Sequence, residues 1–297
     1  MITWGAPIWL YLWLAGMAGG AYFGAFLTER LVAGNDGKLL RLANYLGIPL
    51  ASLGVILLVM DLGEPLRFWH MLLSFRVASP MSMGTWILIL WMSIAVMMIM
   101  AWYAERYISE SISRKLQRIT GVLGWINFVI SVLVMCYTGV LLAASNQPMW
   151  TGTVLLPSLF VTSAVSTGVA ILVFTILITR NTFKISGRTV SRLIEADALV
   201  ILIELVVLVG YAFWLTGASM PGTHEAMRLL TTGVLAARFW LGVVLLALLI
   251  PFGLDVAHWG KDIGANKVVW SAALASSACV LVGALVLRAV IVMGGQM

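Results

Sequence analysis

The sequence predicts an all-α polytopic membrane protein with eight transmembrane helices. Of its 297 residues, 62% are hydrophobic and only 10% are charged, and the mean hydropathy is +1.03. A water-soluble protein of this length needs far more polar surface to cover its core. Apolar runs long enough to cross a bilayer recur along the whole sequence, separated by short polar breaks. They fall at 8–31, 44–60, 84–104, 120–143, 153–179, 194–217, 229–254 and 268–293.

The first span has neither a basic leader nor a small-residue cleavage site and is expected to be a retained helix. Its Gly16, Gly20 and Gly24 recur every fourth residue, which makes a face for close helix packing. The second span ends at Asp61, and the third follows a polar break around Ser79 and Pro80. The fourth carries Asn127, Ser131, Thr138 and Ser145, and the fifth carries Ser163, Ser166 and Thr167. Hydroxyls on membrane helices usually bond to their own backbone or to a neighbouring helix. Tyr137 stands apart, two-thirds of the way along the fourth span. A phenol there is either an interfacial anchor or a donor to a ligand carbonyl.

Charge at membrane depth is costly, about 2.5–3.5 kcal/mol per residue even on the lenient insertion scale. The sixth span nevertheless holds Asp197, Glu204 and Tyr211, seven residues apart and so on one helical face. Arg238, in the seventh span, is expected to pair with Glu204. The structural reading is a buried ion pair that fixes helix packing. The functional one is a proton path through Asp197, Glu204 and Arg238.

Orientation follows from the basic residues. The breaks after spans one, three, five and seven hold thirteen Lys and Arg, against three after spans two, four and six. Both termini are therefore expected on the outer, periplasmic side. The net charge of +6 reflects this topology and anionic lipid rather than nucleic acid. The three histidines, two of them in expected outer loops, cannot supply the four ligands of a dihaem cytochrome b. Cys136 and Cys279 sit alone in separate spans, too few for an iron–sulfur cluster or structural zinc. No metal site is expected in this protein.

The break after span two, DLGEPLRFWHMLLSF, concentrates two acids, an arginine and a histidine. Asp61-x-x-Glu64 reads as a capping box and Pro65 suits a first helical position, predicting a short amphipathic helix to Phe75 at the membrane interface. With SPMSMGTW after it, LWLAGMAGGAYFGAFL in span one, YTGVLLAAS in span four and LLPSLFVTSAVSTGVA in span five, this stretch resembles the membrane subunits of the polysulfide reductase, or NrfD-like, family. The resemblance covers most of spans one to five.

The resemblance implies two four-helix bundles, 1–150 and 151–297, the first of them quinone-binding. It implies a haem-free subunit of the bacterial or archaeal inner membrane that exchanges electrons with menaquinone or ubiquinone. Its implied partners are a ferredoxin-like [4Fe–4S] subunit and a molybdopterin catalytic subunit, both on the outer face. By motif position the quinone role falls on Asp61, His70 and Tyr137. Some relatives place polar residues in helix one against the quinone, where this sequence has Ala15, Gly16, Met17 and Ala18. The rival reading is a secondary transporter or proton channel that uses Glu204 and Arg238, although the spans lack the paired Gly/Pro interruptions of broken-helix substrate sites.

Overall fold

The computed structural model describes residues 4–32, 37–61, 79–105, 110–145, 147–150, 152–179, 182–217, 222–261, 263 and 267–297. Eight helices in it are long and apolar enough to cross a membrane. They are α1 (Ala6–Leu31), α2 (Lys38–Asp61), α3 (Pro80–Ala104), α4 (Glu110–Ala143), α5 (Leu155–Ile178), α6 (Gly187–Gly217), α7 (Arg238–Ala257) and α8 (Lys267–Gly294). Each contains most of one predicted span. A short amphipathic helix, Thr223–Thr231, joins α6 to α7. Most of α7 is wound as a π-helix, Arg238–Leu249, before it returns to α-helix at Ile250; such wide turns are uncommon at this length. The protein is a multi-pass membrane protein.

Length and capping account for the helix ends. The Ser79 hydroxyl accepts from the amide of Ser82 and Pro80 opens α3, the usual N-terminal pairing of cap and proline. Ser186 does the same for Thr189 at the start of α6.

Helix α1 is the most enclosed, with 78% of its membrane window buried, and it packs against α2, α4, α5 and α8. Its glycine face meets α5 backbone to backbone. A Cβ added to Gly20 would stand 1.8 Å from the carbonyl oxygen of Ala164, and one on Gly168 2.0 Å from the carbonyl carbon of Gly20. Only hydrogen fits at these two positions, which is why small residues recur there. Residues such as Ile56, Met100, Val129, Val206 and Phe213 face outward, where lipid replaces water as their neighbour.

The two ends of the helix array differ. At one end the two termini are tied together: the Trp4 amide donates to Gln296 Oε1 (2.6 Å), and Gln296 Nε2 donates to the Trp4 carbonyl (3.1 Å). Trp150 Nε1 donates to the Ile291 carbonyl, and the Tyr211 hydroxyl to that of Met149. At the other end lie most of the described basic residues, among them Arg30, Lys38, Arg41 and Arg188. There Glu29 accepts from the Leu40 amide, Arg41 approaches Glu105 at 3.7 Å, and Arg30 lies over the rings of Phe26 and Trp125.

Candidate functional site

At the end where the termini meet, α1, α3 and α4 bring two phenols together. Tyr137 is buried, six residues before the end of α4, or about 9 Å in at 1.5 Å per residue. Beside it is the phenol of Tyr11, the sixth residue of α1, also buried. The third wall is Gly84 in α3. A Cβ there would fall 1.8 Å from Tyr137 Cζ and 1.9 Å from Cε2. Glycine at 84 is thus what lets the Tyr137 ring lie flat against α3.

Asp61 closes α2 and is exposed at the same end. A carboxylate at a helix C-terminus opposes that helix's dipole. Here its Oδ1 lies 3.7 Å from the Cβ position of Gly5, the residue that precedes α1. The positive end of α1 therefore offsets the conflict. Asp61 sits farther out than the tyrosine pair, at the mouth of the same helix cluster. His70, the capping-box residue Glu64 and the expected amphipathic helix lie outside the described residues.

Sequence reasoning does not single out Tyr11. It is the polar group that α1 contributes near Tyr137, one turn before the Ala15–Ala18 stretch where polar residues are absent.

A second polar cluster is buried where α5, α6, α7 and α8 meet. Asp197, Glu204 and Tyr211 share the buried face of α6, as their spacing requires. The expected pairing of Glu204 with Arg238 is not formed. Arg238 is exposed at the start of α7 and reaches Met293 Sδ at 3.6 Å. The cation near Glu204 is Arg288 of α8, fully buried. The physical reason is packing order: α8 lies against α5 and α7, with Arg288 directed inward to Ser163 of α5.

Arg288 Nη1 donates to Ser163 Oγ (3.2 Å) and to the Ala284 carbonyl (3.0 Å), and its guanidinium lies over the ring of Phe160. Its Nη2 would be 3.0 Å from a Cβ on Gly16, so the glycine face of α1 also accommodates a charge. Asp197 interacts with Asp255 of α7, and Ser276 of α8 lies beside Asp255. Asp197 Oδ1 and Asp255 Oδ2 are buried and find no hydrogen-bond partner among the described residues. Asp255 also lines a small cavity at the basic end with Glu195, His258 and Lys261. Tyr211, by contrast, is a strut: its hydroxyl is used by the Met149 carbonyl.

The remaining hydroxyls are mostly backbone-bonded. Ser131, Thr138 and Ser145 donate to carbonyls three residues back, and Thr167 donates to the Ser163 carbonyl.

Comparison with known proteins covers the whole sequence. The family profile described as "Polysulphide reductase, NrfD" matches residues 1–297. The C chain of polysulfide reductase from Wolinella succinogenes is 28% identical over 318 residues, covering 99% of this protein and 95% of the relative. Protein NrfD of Escherichia coli is 28% identical over 313 residues, covering 100% and 96%. A protein NrfD homolog of Haemophilus influenzae is 27% identical over 270 residues, covering 84% and 82%. A whole-length family match and eight apolar helices agree: the protein belongs to the polysulphide reductase NrfD family.

Proposed function

We propose that the protein is the haem-free, quinone-reactive membrane subunit of a respiratory oxidoreductase, with its quinone site between α1, α3 and α4. The observation that carries this reading is the buried Tyr11–Tyr137 pair seated against Gly84, with Asp61 at the exposed end of the same cluster. One relative is named as the C chain of polysulfide reductase, which supports membership of a multi-chain complex. The partners of this reading are a ferredoxin-like [4Fe–4S] subunit and a molybdopterin catalytic subunit, docked on the periplasmic face. Thirteen Lys and Arg in the sequence breaks after spans one, three, five and seven, against three after spans two, four and six, support the orientation. The two four-helix units, 1–150 and 151–297, are part of the same proposal, as is location in the inner membrane.

Converting a quinone moves two electrons and two protons. The electrons pass to or from a docked cluster, so this subunit supplies binding, orientation and protons. The Tyr137 hydroxyl donates a hydrogen bond to one quinone oxygen, and Tyr11 holds that phenol in place. Asp61, in contact with water, exchanges protons with the bulk; His70 shares that role. The aromatic walls exclude water around the ring.

The test is quinone turnover in the assembled complex carrying Asp61→Asn or Tyr137→Phe. Each slows quinone turnover while dye-linked activity of the catalytic subunit survives. Wild-type quinone rates in both variants remove the site assignment.

The buried line of Asp255, Asp197, Glu204 and Arg288 favours a second activity, proton conduction from the basic end. It starts at the cavity with Glu195 and His258 and ends at Gly16. Gly16 is five residues beyond Tyr11 on α1, about 7.5 Å along the axis. Arg238 of the expected path is replaced in this line by Arg288. If Glu204→Gln leaves both assembly and proton release unchanged, the path is removed. A transporter would instead purify alone, without iron–sulfur or molybdenum subunits.

A further inference from the structure

A cavity of about 180 Å³ opens at the basic end, where the C-terminus of α1, the start of α2 and the α5–α6 connection meet. Its rim carries Lys38, Lys184 and Arg188, all exposed and none in a salt bridge among the described residues. Its walls are buried: Leu39, Ile185 and Thr189. The one acid among the lining residues, Glu29, already accepts a hydrogen bond from the Leu40 amide. The N-terminus of α6 opens here too, and the first-turn amides of a 31-residue helix add partial positive charge.

Two further observations bear on what the cavity takes. Lys184 adopts φ 53°, a left-handed conformation that a lysine rarely adopts and that is strained. The conformation places a cation on the rim where glycine or asparagine would fit the backbone more easily. Beside the cavity the surface is apolar: Leu31, Val32 and Ile178 are exposed. A basic recess bordered by an apolar face suits an amphiphile with an anionic head and hydrocarbon tails.

We propose that this recess binds the phosphodiester headgroup of an anionic phospholipid, with its acyl chains along the exposed face near Leu31 and Ile178. The site lies at the opposite end from the tyrosine pair, and its occupancy does not depend on the quinone reading. Lys38, Lys184 and Arg188 contact the phosphate, and the start of α6 adds its partial positive charge. The bound lipid links the start of α2 to the start of α6, where three cations face one carboxylate, that of Glu29.

The test uses the full-length protein in its complex, purified in mild detergent and returned to vesicles of phosphatidylglycerol, cardiolipin or phosphatidylcholine. Lipid that survives repeated detergent washes is then counted by native mass spectrometry. Wild type retains phosphatidylglycerol or cardiolipin and sheds phosphatidylcholine. Each neutralised cation weakens retention roughly fivefold, so Lys38→Gln, Lys184→Gln and Arg188→Gln together reduce it on the order of a hundredfold. Arg114→Gln, Lys115→Gln and Arg118→Gln, a matched loss of charge at the same end on α4, leaves retention near wild type. Equal loss in the two triple variants, or no preference for anionic lipid in wild type, overturns the proposal. Displacement of the lipid by millimolar inorganic phosphate also overturns it, because the recess is then a free-anion site. Lys184→Gly relieves the backbone strain, so reduced retention in a variant of undiminished thermal stability separates the charge from folding.

Discussion

Gly84→Ala is the most informative single change at the tyrosine pair. The added Cβ lands 1.8 Å from Tyr137 Cζ, 1.9 Å from Cε2 and 2.4 Å from Cε1. Carbon atoms in van der Waals contact stand about 3.5–4.0 Å apart, so the ring has to move by about 1.5–2 Å. The ring has little room to move: it is buried against α3, and its hydroxyl is hydrogen-bonded with Tyr11. Overpacking of this kind costs about 1–3 kcal/mol, and replacing a glycine near the helix start by alanine returns at most about 0.5–1 kcal/mol. A net loss of about 1–2 kcal/mol leaves the helices assembled. Function suffers more, because a displacement of about 1 Å in a positioning group costs on the order of a hundredfold in rate. The assay is quinone turnover against dye-linked turnover in the same assembled complex. Quinone turnover falls about a hundredfold and dye-linked turnover stays within twofold. Combining Gly84→Ala with Tyr137→Phe gives little beyond the worse single variant, because both act through one phenol. Fully multiplicative losses, or wild-type quinone turnover in Gly84→Ala, refute the reasoning.

Three further outcomes follow from the packing. Gly20→Val forces a side chain into the Ala164 carbonyl and separates α1 from α5; thermal unfolding in detergent shows a loss of at least about 3 kcal/mol, or the variant fails to accumulate. Arg288→Met and Glu204→Gln each destabilise by about 1–3 kcal/mol by leaving buried polar groups without their partners, and the double variant costs less than the sum because the two charges interact. Arg238→Gln, an exposed site, changes stability by no more than about 0.5 kcal/mol, which separates it from Arg288 in the same measurement.

Much of the scaffold is legible in the sequence because one physical term dominates it. Hydrocarbon excludes unsatisfied backbone, so apolar runs of about twenty residues declare their helices, and the eight helices contain the expected spans to within a turn or so at most ends. Periodicity also places Asp197, Glu204 and Tyr211 on one buried face. Which helix lies opposite that face is a question of tertiary packing. The antiparallel neighbour in sequence, with Arg238, is the natural guess, whereas the charge comes from α8 through Arg288. Tyr11 escapes notice because nothing in an apolar helix marks one tyrosine as facing another. Gly84 lies inside a recognisable motif, SPMSMGTW, but its purpose emerges only when the Tyr137 ring is seen against it. The α1 glycines read as a packing face; the contact with Ala164 agrees, and Gly16 additionally clears space for a guanidinium.

The central claim is that quinone binds between α1, α3 and α4, beside Tyr11 and Tyr137. Photolabelling of the assembled complex with an azido-quinone, followed by peptide mapping, tests it most directly. The account predicts label on the peptides around Tyr11, Gly84 or Tyr137, suppressed by excess unlabelled quinone and weakened by Tyr137→Phe. Competable label confined to α6, α7 or α8, with none on those peptides, contradicts it.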